Sequence, residues 1–280
     1  LSNGHFAESE LVPSKPSFGG LGSVLQLADL DADGGKQLVS LGARPSGFFE
    51  LGDDNQWQQF RSFHLLPNID FNDPNTRMLD MNGDGRPEIM IADENVFSWY
   101  PSEGRKGYNA LKKAATSYDE EEGPQLVFAN NQQSIFLADM SGDGLTDLVR
   151  IKNNEVCYWP KRGYGKFGAK VQKDHEPKLD HADACNPSNI KLADIDGTGT
   201  TDIIYLGKNN FTCWKNLSGN RFSITPFVIG AFPEIHPQSK VTITDFLGNG
   251  TACIVWSGML AKDNRSSIKY IDLMNSKKPH

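Results

Sequence analysis

Residues 135–171, IFLADMSGDGLTDLVRIKNNEVCYWPKRGYGKFGAKV, read as four short strands separated by turns. In IFLAD the alternation puts Ile135 and Leu137 on one face and Phe136 on the other, so both faces are apolar, as a strand between neighbouring sheets requires. SGDG supplies the first turn, LTDLVRIKN and NEVCYWP the second and third strands, and GKFGAKV the fourth. The same order runs through DIIYLGK, NFTCWKN and NRFSITPFV downstream, and through PEIMIAD, NVFSWYP and a less regular GYNALKKA upstream.

Each unit opens with an apolar run that ends on an aspartate and meets a glycine-bearing loop: LQLADLDADG, RMLDMNGDG, IFLADMSGDG, IKLADIDGTG and VTITDFLGNG. The leading carboxylates are Asp29, Asp80, Asp139, Asp194 and Asp245, spaced by 51, 59, 55 and 51 residues. That period fits a supersecondary unit of several strands, and four-stranded units in series are the blades of a β-propeller. The expected fold is therefore all-β, with five blades; a sixth requires more strand within residues 101–132 than the pattern reveals. The segment NGHFAESELV (residues 3–12) reads as an outer strand without inner ones, whereas VTITDF, ACIVWSG and SIKYIDL are inner strands without an outer one. Pairing the two would close the ring through the N-terminal strand and remove free sheet edges.

Composition sets limits. The 280 residues, 27 glycines and 15 prolines suit many short strands in one domain spanning residues 1–280, and no long amphipathic helix is visible. A formal charge of −7 without any basic run excludes a general phosphate-backbone binder, so no nucleic-acid partner is expected. No stretch reaches the ~18–20 apolar residues that cross a bilayer, so direct membrane insertion is not expected. The start LSNGHFAESE has neither the charge nor the apolar core of a leader, and the chain reads as a piece of a longer protein. Cys157, Cys213 and Cys253 fall in strands and read as small buried hydrophobes, whereas Cys185 falls in a loop; none has CxxC spacing.

The aspartate loops carry the recurrent polar chemistry. The pattern D-x-[DNS]-x-D-G-x-x-[DE] is complete at Asp80, Asn82, Asp84 and Glu88, and at Asp139, Ser141, Asp143 and Asp147. Crowded carboxylates repel, and a hard cation such as calcium would relieve them, which makes these eight residues the candidate metal ligands and calcium the cofactor the sequence allows. An EF-hand is excluded because the twelfth loop position is Ile91 or Arg150. The same residues also build a turn without metal: Asp and Asn side chains accept loop N–H groups and the glycines allow positive φ. The other loops degenerate, with Gln37 at the ninth position of the first, Thr198 at the fifth of the fourth, and Leu247 and Cys253 in the fifth, which favours the turn reading there.

No HExxH, GxSxG, GxxxxGK[ST] or helix-leading GxGxxG occurs, and no enzyme is expected. Asp174, His175, Glu176, Asp180, His181 and Asp183 form an acidic loop more readily than a transition-metal site. Trp99, Trp159, Trp214 and Trp256 recur at equivalent strand positions, as core residues between blades do. The connections between units, among them SYDEEEGPQLVFANNQQ and KDHEPKLDHADACNPSN, are long and acidic. Asp119, Glu120, Glu121, Glu122, Asp174, Glu176, Asp180 and Asp183 are thus the candidate partner-binding residues, favouring a basic rim on the partner.

Residues 133–171, with IKLADIDGTGTTDIIYLG (190–207), VTITDFLGNGTACIVW and YIDLMNSKKPH toward the end, resemble the FG-GAP or VCBS-type propeller inside the B component of bacterial Tc toxins and related SpvB-like proteins. The resemblance covers nearly the whole chain and is weakest before residue 75, where LADLDADGGKQLV departs from the metal-loop pattern. It implies a non-enzymatic docking and gating module that binds the channel-forming A component and controls passage of an unfolded toxic cargo. It also implies a C component, whose Rhs repeats complete a shell around that cargo, and a secreted or extracellular setting. The reading from residues alone leaves a calcium-dependent adhesion or lectin-like propeller as the alternative.

Overall fold

The computed structural model describes residues 12, 14–16, 24–42, 45–93, 96–125, 134–152, 155–179, 186–207, 210–218, 220–230, 240–257 and 268–274. Its described residues form β-sheet and two single-turn 3₁₀ helices. The chain divides into two compact units, one of Glu8–Asn131 with Lys161–Ala169, the other of Leu1–Ala7, Gln132–Pro160 and Lys170–His280.

The first unit holds two antiparallel meanders. One is β1 (Val24–Ala28), β2 (Gln37–Leu41), β3 (Gly47–Phe49) and β4 (Arg61–Ser62); the other is β5 (Thr76–Leu79), β6 (Glu88–Asp93), β7 (Val96–Tyr100) and β8 (Lys112–Ala115). The second unit holds three. Its first sheet is β9 (Ser134–Ala138), β10 (Asp147–Lys152), β11 (Glu155–Trp159) and β12 (Val171–Gln172). Its next chain segment gives β13 (Ile190–Ala193), β14 (Asp202–Leu206), β15 (Asn210–Trp214), β16 (Asn216–Leu217), β17 (Arg221–Phe222) and β18 (Phe227–Gly230). Here β16 and β17 form a separate ribbon, and β18 completes the sheet in the order β13-β14-β15-β18. The last sheet is β19 (Lys240–Thr244), β20 (Cys253–Ser257) and β21 (Ile268–Asp272).

These five sheets are the propeller blades. A sixth is not among the described residues, where residues 101–125 hold a single strand, β8. The closing strand expected at residues 3–12 lies outside the described residues apart from Val12. The ribbon β16-β17 was not legible in NRFSITPFV, because two-residue strands leave no alternation to read.

Packing follows the two-faced strands. In β10 every residue from Asp147 to Ile151 is buried, so both faces of this second strand are covered, while first strand β9 is only half buried over Ile135–Leu137. Val149, Ile151, Val156 and Tyr158 pack against Ile190, Ile203, Tyr205 and Trp214 of the next blade. On the other side of that blade, Ile204, Phe211 and Cys213 meet Ile254, Trp256 and Ile271. Trp99, Trp159, Trp214 and Trp256 are all at most 6% exposed, and Cys157, Cys213 and Cys253 are buried as well, which establishes their core role. Burial pushes the Cys213 thiol up to about 12, so it stays protonated and behaves as a hydrophobe. Cys185 lies outside the described residues.

Candidate functional site

The five aspartate loops share one hydrogen-bonding plan. In each, Oδ2 of the leading aspartate accepts the N–H five residues on, from Gly34, Gly85, Gly144, Gly199 or Gly250, at 2.7–2.9 Å. In the last four loops Oδ1 accepts the N–H three residues on, from Gly83, Gly142, Gly197 or Gly248, at 2.5–2.8 Å. Both glycines of each such loop hold φ between 68° and 89°, the left-handed region that a Cβ disfavours. The first loop puts Ala32 there instead, at φ 59°, and Oδ1 of Asp29 takes the Asp33 N–H. These bonds hold the Asp29 and Asp245 carboxyls below their ordinary values; for Asp29 they outweigh the opposing effect of desolvation, and for Asp245 the Gly250 N–H leads.

The ninth residue of each loop performs a second, buried task. Its side chain accepts the N–H of the residue after the leading aspartate: Gln37 from Leu30 at 2.9 Å, Glu88 from Met81 at 2.6 Å, Asp147 from Met140 at 3.0 Å and Asp202 from Ile195 at 2.9 Å. Cys253 accepts from Phe246 in the fifth loop. Glu88, Asp147 and Asp202 are at most 1% exposed. Gln37 and Cys253, which look like degeneration when the pattern is scored for carboxylates, therefore keep the same function. A buried N–H requires an acceptor, and charge is optional.

Burying a carboxylate has an electrostatic consequence. Asp202 is raised to about 7, mainly by burial and further by the charges of Asp194 and Asp196, against bonds from the Asn216 and Ile195 N–H groups. Glu88 is raised for the same reason, with Asp80 and Asp84 adding to it.

Side chains supply cations to three loops. A four-stranded meander brings the connection after its third strand to the same end as its aspartate loop, so residues just past β7, β11 and β15 lie close to such loops. Arg105 reaches the preceding blade and pairs with Asp31 at 2.9 Å and Asp33 at 3.8 Å. Lys161, buried, donates to the Asp80 carbonyl and sits 3.8 Å from Asp80 Oδ1. Lys215 pairs with Asp196 of its own blade at 2.9 Å. Asn216 and Lys173 both donate to the Met140 carbonyl of the third loop, at 3.0 and 3.2 Å. Lys173 lies over the Tyr158 and Phe222 rings, and burial lowers it to about 8 although Asp147 acts in the opposite sense.

Of the eight candidate ligands, Asp80, Asp84, Asp139 and Asp143 stand on exposed or half-exposed loop surface, whereas Glu88 and Asp147 point inward. Asn82 accepts the Asp84 N–H through Oδ1, which turns its amide nitrogen toward Asp84 Oδ2 at 3.0 Å and Glu88 Oε1 at 3.3 Å. Ser141 donates to Asp139 at 3.4 Å. The described residues whose ligand atoms converge within 4.8 Å are instead Asp194, Asp196 and Asp202 of the fourth loop. Thr198 at its fifth position had hidden that convergence from a carboxylate count.

The acidic connections separate. Asp119–Glu122 form a tight turn in which Asp119 Oδ1 accepts the Glu121 N–H and the Asp119 carbonyl accepts those of Glu122 and Gly123. Asp174 pairs its backbone with Asn220 and Phe222, and Glu176 accepts the Val156 N–H and the Gln172 amide. Asp180 and Asp183, with His181, lie outside the described residues.

Residues 80–150 match the family model of the FG-GAP-like repeat. The structure is similar to that of a Photorhabdus luminescens Tc holotoxin pore, at 26% identity and TM-score 0.77 over 96% of this chain and 12% of that one. The TcdB2–TccC3 complex with Cdc42 shares the fold at 21% identity and TM-score 0.51, over 91% of this chain and 14% of that one. An Agrocybe aegerita lectin described as recognising non-reducing terminal N-acetylglucosamine shares it at 18% identity and TM-score 0.60, over 90% of this chain and 63% of that one. The FG-GAP and Tc-toxin resemblance visible in the sequence thus extends to the structure. The chain spans about an eighth of the toxin chain it matches best by TM-score among these three. No curated protein matches it. Among the described residues, no helix is long and apolar enough to cross a membrane.

Proposed function

We propose that the chain is the docking and gating propeller of a Tc-type toxin B component. In this role it binds the channel-forming A component and controls passage of unfolded cargo enclosed with a C component, in an extracellular toxin complex. The observation that carries this is the likeness to the Photorhabdus luminescens holotoxin chain over 96% of the present one. The role is non-enzymatic: the recurrent carboxylates are engaged as loop and N–H caps, which leaves them to hold shape rather than to shuttle protons. Calcium belongs to the same proposal as an accessory ligand of the loops at Asp80 and Asp139.

The test is association of the purified chain with an immobilised A component of the Tc type. Saturable binding without hydrolytic activity is expected. Saturable binding to N-acetylglucosamine-terminated glycan, with none to the A component, would replace this reading with the lectin-like one.

A further inference from the structure

A cavity of about 280 Å³ opens in the unit that carries β5–β8, between the end of β8, the acidic turn and the segment around Phe167. Its apolar wall is Phe97, Phe167, Ala115 and Pro124, with the two rings edge to face at 5.6 Å. Glu122 and Lys166 bring opposite charges to its lining. Pockets for drug-sized ligands run from about 300 to 1,000 Å³, so this one suits one or two side chains rather than a cofactor.

The approach to it is built. Tyr118 is fully exposed, and the Asp119–Glu122 turn follows at once. The turn is fixed at its base: Gln125 donates to the Ser117 carbonyl at 2.8 Å, and Gly123 is packed so closely that a Cβ would stand 3.0 Å from Ser117 Cβ. Preorganised loops lose less entropy on binding, and a solvent-facing tyrosine beside an apolar pocket is the kind of residue that dominates interface energetics.

We infer that this cavity and its acidic turn form a docking site for a short basic segment of a partner protein, with an apolar side chain seated against Phe97 and Phe167 and lysine or arginine set against Asp119–Glu122. Charge selects this occupant: Glu122 lines the cavity and closes a run of four consecutive acids, Asp119–Glu122, in the turn beside it, and the chain carries a formal charge of −7. Lys166, which also lines the cavity, repels the basic residues of the segment and leaves them to the turn. The inference rests on the docking reading and gives it a location.

The probe is a labelled acetyl-Arg-Lys-Leu-Phe peptide titrated against the 280-residue chain by fluorescence anisotropy, with acetyl-Glu-Glu-Leu-Phe as its counterpart. Saturable binding of the basic peptide, weakened at least tenfold between 50 and 500 mM salt, is expected, with none of the acidic one. Ala115→Trp, which fills the cavity from an exposed strand position, and the combined Glu120→Lys, Glu121→Lys and Glu122→Lys reversal should each weaken it about tenfold at an unchanged melting temperature. Equal binding of the two peptides, or affinity untouched by Ala115→Trp, would overturn the site. An A component that binds Ala115→Trp as well as the original chain also overturns the site while leaving the docking role intact. Failure of the original chain to bind the A component strikes the docking role alone, because the peptide titration is read separately.

Discussion

The second and fourth aspartate loops invert what their sequences promise. The loop at Asp80 has the complete carboxylate pattern, yet Glu88 is turned into the core, Asn82 presents its amide nitrogen to two carboxylates, and the buried Lys161 ammonium stands 3.8 Å from Asp80. The loop at Asp194 lacks the fifth-position acid, yet it brings the ligand atoms of Asp194, Asp196 and Asp202 within 4.8 Å of one another. Its cation, Lys215, pairs with Asp196 from a half-exposed position. Electrostatic compensation is therefore set by side chains some 20 to 80 residues away in sequence, such as Lys161 on Asp80, as much as by the loop itself.

The largest effect that would sharpen this contrast is the pH dependence carried by Asp202. Its carboxyl titrates near 7 in the folded chain and near 3.9 when unfolded, so the folded state holds a proton that the unfolded state has released across that window. Stability from this group is therefore complete below about pH 4 and is lost as pH rises to about 7, by about 2–4 kcal/mol. Urea melts of the original chain and Asp202→Asn between pH 4 and 8 should differ in slope over that window and run parallel above it. Glu88, raised in the same sense, leaves a smaller residual slope in the variant. Parallel curves throughout would show that Asp202 is ionised in the fold from pH 4 upward.

Next comes the cation of the second loop. Lys161→Met removes the ammonium from a buried position while Asp80 keeps about a quarter of its surface in water, so the loss should be about 2–3 kcal/mol, below that of a fully buried pair. Calcium at millimolar concentration should restore part of it, because Asp80, with Asp84 and Glu88 in the same loop, then lacks its ammonium partner. A variant that loses stability without any response to calcium would assign the loop to turn-building alone.

How far the sequence carried these contrasts depends on the kind of information involved. The blades were legible because their cause is local: alternation in IFLAD, turn glycines after each aspartate, and tryptophans at matching strand positions. The leading aspartates were equally legible, since each bonds to N–H groups within its own loop. The ninth position was misjudged as to its direction, because Glu88 and Gln37 share a buried N–H to satisfy and a count of acids does not register that need. Arg105, Lys161 and Asn216 were missed, since each acts on a loop about 70–80 residues earlier in the chain. One signal was available: a polar or cationic residue recurs two positions past β7, β11 and β15, at Ser102, Lys161 and Asn216.

Calcium itself offers a third measurement. If the loops at Asp80 and Asp139 take the ion as proposed, calorimetry should detect binding that Asp84→Asn and Asp143→Asn weaken together, with a melting-temperature gain of a few degrees at saturating calcium. Binding abolished by Asp196→Asn instead would move the site to the fourth loop, where the geometry converges.

The smallest effect is expected where the fourth loop meets solvent. Lys215 lies 2.9 Å from Asp196 Oδ2, but its side chain is 45% exposed, so screening leaves the pair worth less than about 1 kcal/mol. The Asp196 carboxyl sits below its ordinary value because the Lys215 and Thr198 bonds outweigh its desolvation, so the pair stabilises at neutral pH and loses that contribution as the carboxyl protonates in acid. This sign is opposite to that of Asp202, a few residues away. Lys215→Ala should therefore lower stability by a few tenths to 1 kcal/mol at pH 7, and the difference should fade as pH falls through the lowered Asp196 value, or in 1 M salt. A loss as large as that from Lys161→Met, persisting in salt, would mean that the two loops are compensated alike, and exposure would cease to explain their difference.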